Sequence, residues 1–236
     1  MTQAEIDVPW QTSDVIKAIV VLILFSVPGF LLSLIPFSSG RLTSVNLLFS
    51  AIAMSLMEGI LILIAWYFGV RKYHTSFDKL GFHSFNILKN LFKAVLWLIA
   101  LKVFTIAYGA VAILVFDLKP PEELVQGIPN IFGYGIGGFI VAIFVVSIVA
   151  PIAEETFFRG FVYPALRKKL GVWAGIWTTA LIFALFHARV WMIIPVVAMG
   201  AVLGLLYEQE KSLGPPIMLH SLNNLLSLLI IYAQRG

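Results

Sequence analysis

The chain has 236 residues, of which 60% are hydrophobic and only 12% are charged. Soluble domains carry about 25% charged residues, so this composition and the mean hydropathy of +0.97 exclude a water-soluble globular protein. The net charge of +4 is spread over short segments between apolar runs, which argues against a nucleic-acid partner. The absence of cysteine excludes disulfides, a thiol nucleophile and cysteine-ligated metals.

Apolar segments long enough to cross a bilayer recur along the whole chain. They predict an all-α, polytopic transmembrane bundle of about seven spans (six to eight), at residues 15–36, 45–70, 91–116, 132–165, 172–189, 191–208 and 215–234. The polar, acidic N-terminus lacks the basic region and cleavage site of a signal peptide. The first apolar segment is therefore predicted to be an uncleaved transmembrane helix.

Two segments between the predicted spans have a distinct composition. Residues 71–90 are basic and aromatic, which is typical of a segment lying along the membrane surface. Residues 117–130 contain three prolines, Pro120, Pro121 and Pro129. Because proline cannot continue a helix, this second segment is predicted to be a loop.

The distribution of basic residues predicts the orientation in the membrane. With the N-terminus inside, ten basic residues fall on the inner side, namely Lys17, Arg71, Lys72, Lys79, Lys89, Lys93, Arg167, Lys168, Lys169 and Lys211. Four fall outside, namely Arg41, Lys119, Arg189 and Arg235. By the positive-inside rule, the N-terminus and the turn at residues 167–169 are predicted to face the cytoplasm.

Adjacent carboxylates, Glu154 and Glu155, lie within one of the most apolar stretches of the chain. A charge at the centre of a membrane helix costs about 2.5 kcal/mol or more, so such residues are functional-site candidates. Arg159 follows Glu155 by four residues and can pair with it along one helix face. Glu154 lies about 100° away around the helix and can face a different direction.

Further polar residues lie on the later spans, and their spacing predicts a shared site. His187 follows Phe183 by four residues, and Asn224 follows His220 by four, so each pair shares a helix face. The turn at residues 169–171 lies midway between Glu154 and His187. The two arms of an antiparallel helical hairpin would then have equal length, which places both side chains at the same depth in the membrane. His220 lies five residues after Pro215 and so nearer the surface, unless the ends of the fourth and fifth helices protrude from the membrane.

Two other charged residues lie within predicted spans, at Glu58 and Lys102. Glu58 is interpreted as a buried, hydrogen-bonded group of structural importance. Lys102 is predicted to extend its ammonium group along the helix to the membrane surface. The four aspartates, Asp7, Asp14, Asp78 and Asp117, lie outside or at the edge of the spans, so an aspartyl dyad at depth is excluded, and no G-x-S-x-G motif is present.

Three motifs occur in order: Glu154-Glu155-x-x-x-Arg159, Phe183-x-x-x-His187 and His220-x-x-x-Asn224. This set resembles the motifs of the CPBP family, the CAAX-processing and bacteriocin-processing intramembrane proteases. These are also called Abi proteins and include the prenyl-protein (Ras-converting) CAAX endopeptidases. The resemblance covers Ala150 to the C-terminus. It implies N-terminal variable helices in residues 1–130 and a catalytic core in residues 131–236 of a single membrane domain.

The resemblance implies an intramembrane endopeptidase whose site opens toward the cytoplasm. By position, Glu154 would be the catalytic acid and base, and His187 would help it hold the attacking water. His220 and Asn224 would stabilise the oxyanion, while Glu155, Arg159 and Phe183 would support them. The expected mechanism is of the metal-free glutamate type, with no cofactor. The alternative is a zinc metalloprotease in which Glu154, His187 and His220 hold the metal.

The expected partners are a membrane-anchored or hydrophobic peptide substrate and the lipid bilayer. Two other functions remain open from the sequence. The first is a non-proteolytic scaffold, immunity or recruitment protein on the same fold. The second is a proton-coupled transporter, since Glu/His relays also serve pumps, although the inverted repeat expected of a transporter is not visible in the sequence.

Overall fold

The computed structural model describes residues 7–33, 44–118, 120–121, 123–187 and 189–234. These residues contain no β-strand, which confirms the predicted all-α fold. They form eight helices: α1 (Thr12–Ser33), α2 (Ser44–Ala65), α3 (Ile87–Phe116), α4 (Glu123–Phe132), α5 (Ile136–Leu170), α6 (Val172–Phe186), α7 (Ile193–Glu210) and α8 (Gly214–Ala233). A π-helical segment, Trp66–Arg71, extends α2, and short 3₁₀ turns occupy Phe77–Leu80 and Val190–Met192.

Five helices in the described part of the chain are long and apolar enough to cross a membrane. They are Leu47–Arg71, Ile87–Phe116, Ile136–Leu170, Val190–Glu210 and Gly214–Ala233, and they confirm a polytopic membrane bundle. The predicted span at 172–189 is instead the shorter helix α6, whose 15 residues fall below the roughly 20 that a full crossing needs. The predicted first span begins as α1, and its last residues, 34–36, lie outside the described residues.

The prediction of a loop at residues 117–130 is wrong, because α4 begins at Glu123 within it. Pro120 and Pro121 precede this helix and do not interrupt it. Pro129 lies inside the helix, where it removes one backbone donor. Ile128 and Phe132 nevertheless pack with Val145 of α5 and its neighbours in one apolar cluster, and this burial outweighs the local cost of the proline.

Helix α5 spans 35 residues, about 50 Å at 1.5 Å per residue. It is therefore longer than the hydrocarbon layer of about 30 Å. Two π-helical segments interrupt it, Val145–Val149 and Thr156–Val162. Each segment ends just before a proline, Pro151 or Pro164, which has no N–H to complete the regular hydrogen-bond ladder. The short α-helical stretch between the segments carries Glu154 and Glu155.

The N-terminal residues anchor α1 to the end of α2 and to α5. The indole of Trp10, which is fully buried, donates a hydrogen bond of 2.8 Å to the carbonyl of Phe161. Asp14, at the start of α1, is also buried and accepts hydrogen bonds from Lys72 and Tyr73. Burial raises the pKa of Asp14, but hydrogen bonds from Lys72, Tyr73 and the backbone N–H of Gln11, together with the charge of Lys72, hold the pKa below its usual range.

The segment after α2 packs against the end of the bundle that contains the α7–α8 connection. Leu213 donates its backbone N–H to the carbonyl of Gly81 at 2.8 Å, and Ser212 donates its hydroxyl to the carbonyl of His83 at 2.7 Å. Leu80 is fully buried, and its carbonyl lies where a side chain on Gly160 of α5 would project. The predicted surface segment 71–90 is thus partly a packed component of the bundle.

Replacing Gly160 by alanine is expected to destabilise the protein by about 1–3 kcal/mol, as overpacking does. An added Cβ would lie 2.5 Å from the carbonyl oxygen of Leu80, which is backbone and cannot rotate away. The matched control is Gly137→Ala on the same helix, where an added Cβ has no neighbour within 4 Å. Thermal unfolding in detergent should show a lower midpoint for Gly160→Ala than for Gly137→Ala, and equal midpoints would contradict the prediction.

Candidate active site

The three motif segments converge at one site between α5, α6 and α8. The Oε2 atom of Glu154 lies 3.9 Å from Nε2 of His187 and 3.9 Å from Nε2 of His220. Helices α5 and α6 are the arms of the predicted hairpin, and they bring Glu154 and His187 to the same depth. His220 reaches this site from the second turn of α8, in keeping with an α5 helix too long for the hydrocarbon layer.

Glu155 lies at the centre of a buried network. Its Oε1 atom accepts a hydrogen bond of 2.8 Å from Nη1 of Arg159, as the i,i+4 spacing predicts. The same Oε1 atom lies 2.8 Å from Nδ1 of His220. Both Glu155 and Arg159 are fully buried. Arg159 also donates from Nη2 to the carbonyl of Gly200 on α7 at 2.9 Å. The Glu155–Arg159 pair therefore joins α5 to both α7 and α8.

Backbone and carboxylate acceptors determine how the two imidazoles are oriented. Nδ1 of His187 lies 2.9 Å from the carbonyl oxygen of Phe183, which can only accept, so this nitrogen carries the hydrogen. Nε2 of a neutral His187 is then an acceptor directed toward Glu154. Nδ1 of His220 donates to Glu155 in the same way, so Nε2 of His220 donates only when the ring is protonated on both nitrogens.

The ring of Phe183 packs against three of the polar side chains at this site. Its ring is fully buried, with the guanidinium carbon of Arg159 4.6 Å from the ring centroid. The imidazole rings of His187 and His220 lie 4.5 and 5.8 Å away, centroid to centroid. A guanidinium over an aromatic face is attracted to the ring electrons, so Phe183 holds Arg159 in place and fixes the spacing of the two histidines.

Asn224 lies one turn after His220 on α8 and is held by two hydrogen bonds. Its Nδ2 donates to the carbonyl of Val146 at 2.9 Å, and its Oδ1 accepts from Asn223 at 3.3 Å. Val146 belongs to the first π-helical segment of α5. The second hydrogen of the Asn224 amide is not used in these contacts.

A cavity of about 260 Å³ borders the site on the side of α1 and α2. It is lined by Leu22, Met57, Glu58, Leu61, Glu154, Phe158, Phe186 and His187. The Oε2 atoms of Glu154 and Glu58 are both buried and have no hydrogen-bond partner among the described residues. The sequence predicts a hydrogen-bonded Glu58, whereas its Oε2 atom has no such partner in the part of the chain that the structure describes.

Lys102 does not extend to the membrane surface as predicted. Its Nζ donates a hydrogen bond of 2.9 Å to the hydroxyl of Ser227 on α8, one turn beyond Asn224. Ser227 in turn donates to the carbonyl of Asn223 at 2.8 Å. Lys102 therefore joins α3 to the helix that carries His220 and Asn224.

The fit of a metal ion can be judged from the same geometry. In the described part of the chain, no group of three His, Asp or Glu side chains converges closely enough to hold a metal ion. His187 and His220 direct their Nε2 atoms toward Glu154, but at 3.9 Å each. A carboxylate oxygen and two imidazole nitrogens are nevertheless donor types found in catalytic zinc sites.

Comparisons with known proteins agree with the resemblance drawn from the three motifs. Residues 136–226 match the family model described as type II CAAX prenyl endopeptidase Rce1-like. The protein named "Putative membrane peptidase YdiL" of Bacillus subtilis (strain 168) is 30% identical to this chain over 116 residues. That match covers 49% of this chain and 46% of the relative, about half the length of each. No solved structure matches the chain.

The fold and the site together define a class of protein, a polytopic membrane bundle in which a glutamate on α5 faces one histidine at the end of α6 and another on α8. Within that class, the match of residues 136–226 to the Rce1-like model and the similarity to YdiL support the resemblance to the CPBP (CAAX protease) family. The family match begins at the first residue of α5 and includes every motif residue on α5, α6 and α8.

Proposed function

We propose that this protein is an intramembrane endopeptidase that hydrolyses a peptide bond in a membrane-associated substrate, with Glu154 activating the attacking water. The observation that carries this proposal is the environment of the Glu154 Oε2 atom. It is buried without a hydrogen-bond partner and faces two imidazole nitrogens at 3.9 Å each. A single water can bridge polar atoms that lie more than about 3.5 Å apart.

The orientation of His187 supports water activation at this position. A water between Glu154 and His187 would meet two acceptors, the carboxylate oxygen and the Nε2 lone pair of the neutral imidazole. Both of its hydrogens would be engaged, and its oxygen lone pairs would be directed away from them toward a substrate carbonyl. Glu154 would remove one proton as the oxygen attacks, in the manner of a general base.

His220 and Asn224 are suited to stabilise the oxyanion that forms on the substrate carbonyl. When doubly protonated, His220 donates from Nε2 while its Nδ1 donates to Glu155. The unused hydrogen of the Asn224 amide supplies a second donor. Fixed donors of this kind stabilise the transition state because they need no reorganisation during the reaction.

The proposed mechanism is of the glutamate type and uses no metal. The 3.9 Å separations of Glu154 Oε2 from His187 and from His220 leave room for a bridging water. The zinc alternative assigns the same three residues as ligands and gives a different experimental result. A strong chelator would remove activity from a zinc enzyme, and added Zn²⁺ would restore it, whereas a glutamate protease keeps its activity.

The proposed substrate class follows from the membrane location of the site and from the family description. The family model is named for CAAX prenyl endopeptidases, so a peptide with a prenylated cysteine near its C-terminus is the first substrate to test. An unprenylated hydrophobic peptide is the second. The positive-inside distribution of charge supports a cytoplasmic N-terminus and a site that opens toward the cytoplasmic side.

The test is cleavage of two quenched fluorogenic peptides, one prenylated and one hydrophobic but unprenylated, by the full chain in liposomes. We expect cleavage of at least one peptide, and a rate about 100-fold lower for His187→Ala, because the water loses one of its two acceptors. The control His83→Ala makes the same chemical change at an exposed histidine outside the site and should keep full activity. Undiminished cleavage by folded His187→Ala would contradict the proposal.

A scaffold or immunity function on the same fold makes the opposite prediction for a cellular phenotype. A phenotype that depends on proteolysis is lost when the catalytic carboxylate is replaced. A phenotype that survives Glu154→Gln, with the protein present at its normal level in the membrane, would favour the non-proteolytic function.

A further inference from the structure

Glu58 lies on the wall of the catalytic cavity although it belongs to none of the three motifs. It is carried by α2, in the span Leu47–Arg71, and lies outside the residues matched by the family model. The cavity of about 260 Å³ that contains Glu154 and His187 also contains Glu58. An ionisable carboxyl group within a membrane span has a high free-energy cost. Such residues are therefore candidates for a chemical role.

The contacts of Glu58 do not account for its presence as a structural group. Its Oε2 atom is buried and has no hydrogen-bond partner among the described residues, and the same is true of the Glu154 Oε2 atom. Apart from these two glutamates and His187, the described cavity wall is apolar. A buried acceptor without a donor is unfavourable. A proton on one of the two carboxyl groups of this cavity removes its negative charge and so lowers the cost of burying it.

The surroundings indicate which carboxyl group holds that proton. Two charged carboxylates in one apolar cavity repel each other, and a proton on one of them removes this repulsion. Glu154 faces two imidazoles, from His187 at the end of α6 and from His220 on α8. Glu58 faces the apolar side chains that α1, α2 and α5 contribute to the wall, such as Leu22, Leu61 and Phe158.

We propose that Glu58 is a further catalytic residue, the general acid that protonates the leaving amine. This inference rests on the proposed function. Glu154 takes one proton from water as the new C–O bond forms and the carbonyl becomes an oxyanion. The oxyanion then collapses, the C–N bond breaks, and the nitrogen takes the proton of the Glu58 carboxyl group. The proton on Glu154 afterwards passes to Glu58, which restores both groups with one water consumed.

A test that separates this role from a structural one compares two leaving groups. An amine must be protonated to leave, whereas the alcohol of an activated ester leaves without a proton. The probes are the peptide that the native protein cleaves and the same peptide with an activated ester at the cleaved bond. The variants are Glu58→Gln, Glu58→Asp and Glu154→Gln, with Glu210→Gln as the control for loss of a carboxylate far from the cavity.

We expect Glu58→Gln to lower kcat for the amide about 100-fold, with KM and the rate of ester hydrolysis nearly unchanged. Glu58→Asp, which keeps the carboxyl group, should recover part of the amide activity, and Glu210→Gln should match the native protein. Equal losses on amide and ester, or no loss on either, would overturn the role of Glu58 while leaving the proposed function intact. Full activity of Glu154→Gln on both probes would overturn the proposed function and this inference with it.

Discussion

Replacing Glu154 by glutamine is expected to lower the rate of peptide hydrolysis by about 10³-fold or more, because an amide cannot accept a proton from water. The change keeps the size of the side chain. The Oε2 atom of Glu154 has no hydrogen-bond partner among the described residues, so the fold loses no contact through it. The melting temperature of Glu154→Gln should equal or exceed that of the native protein.

The measurement is the initial rate of cleavage in liposomes, together with the thermal unfolding midpoint in detergent. Glu210→Gln is the matched control, because Glu210 pairs with Lys89 and Lys93 away from the cavity. The combination of lost activity and preserved stability is what distinguishes a catalytic carboxylate from a structural one. A variant that retained a tenth or more of the native rate would rule out Glu154 as the base.

Replacing Arg159 by methionine is expected to destabilise the protein by about 3–5 kcal/mol, the cost of breaking a buried ion pair from one side. Glu155, which is fully buried, would lose the guanidinium 2.8 Å away and keep only His220 as a partner. The carbonyl of Gly200 would also lose its donor. We expect little folded protein after membrane extraction and a strongly lowered unfolding midpoint.

The double variant Glu155→Leu/Arg159→Met provides the internal comparison. Replacing both partners of a buried ion pair by apolar side chains is often neutral or stabilising, so the double variant should be more stable than Arg159→Met alone. It should nevertheless be inactive, because His220 loses the carboxylate that orients its Nδ1. An unfolding midpoint of Arg159→Met equal to that of the native protein would show that the pair does not support the fold.

The contacts within one helix or one hairpin could be predicted from the sequence. The i,i+4 spacing gives the Glu155–Arg159 pair directly, because 3.6 residues per turn place these side chains on one face. The approach of Glu154 to His187 follows from the equal arms of the α5–α6 hairpin. The meeting of His220 with Glu155 could not be predicted this way, since it depends on how α8 packs against α5.

The remaining differences arise where tertiary packing outweighs local preference. Residues 123–132 form α4 because Phe132 is buried and Ile128 partly buried against α5, although three prolines at residues 117–130 predict a loop. The place of Glu58 in the cavity wall depends on the packing of α1 and α2 beside α5. The hydrophobic pattern of a single helix identifies Glu58 as an unusual charged residue. It does not identify the residues of other helices that Glu58 faces.

The spacing of the Arg159 contacts also bears on how this protein is made. The chain emerges from the ribosome from its N-terminus, so α5 is available for insertion before the segments that carry Gly200 and His220 have left the ribosome. During that interval Glu155 is the partner of Arg159 that lies in the same helix. The i,i+4 pair is electrically neutral as a unit, which lowers the cost of moving α5 into lipid. The inserted pair still has unused hydrogen-bonding groups when the later helices pack against α5. Arg159 then donates to the carbonyl of Gly200, and Glu155 contacts His220, which completes the site.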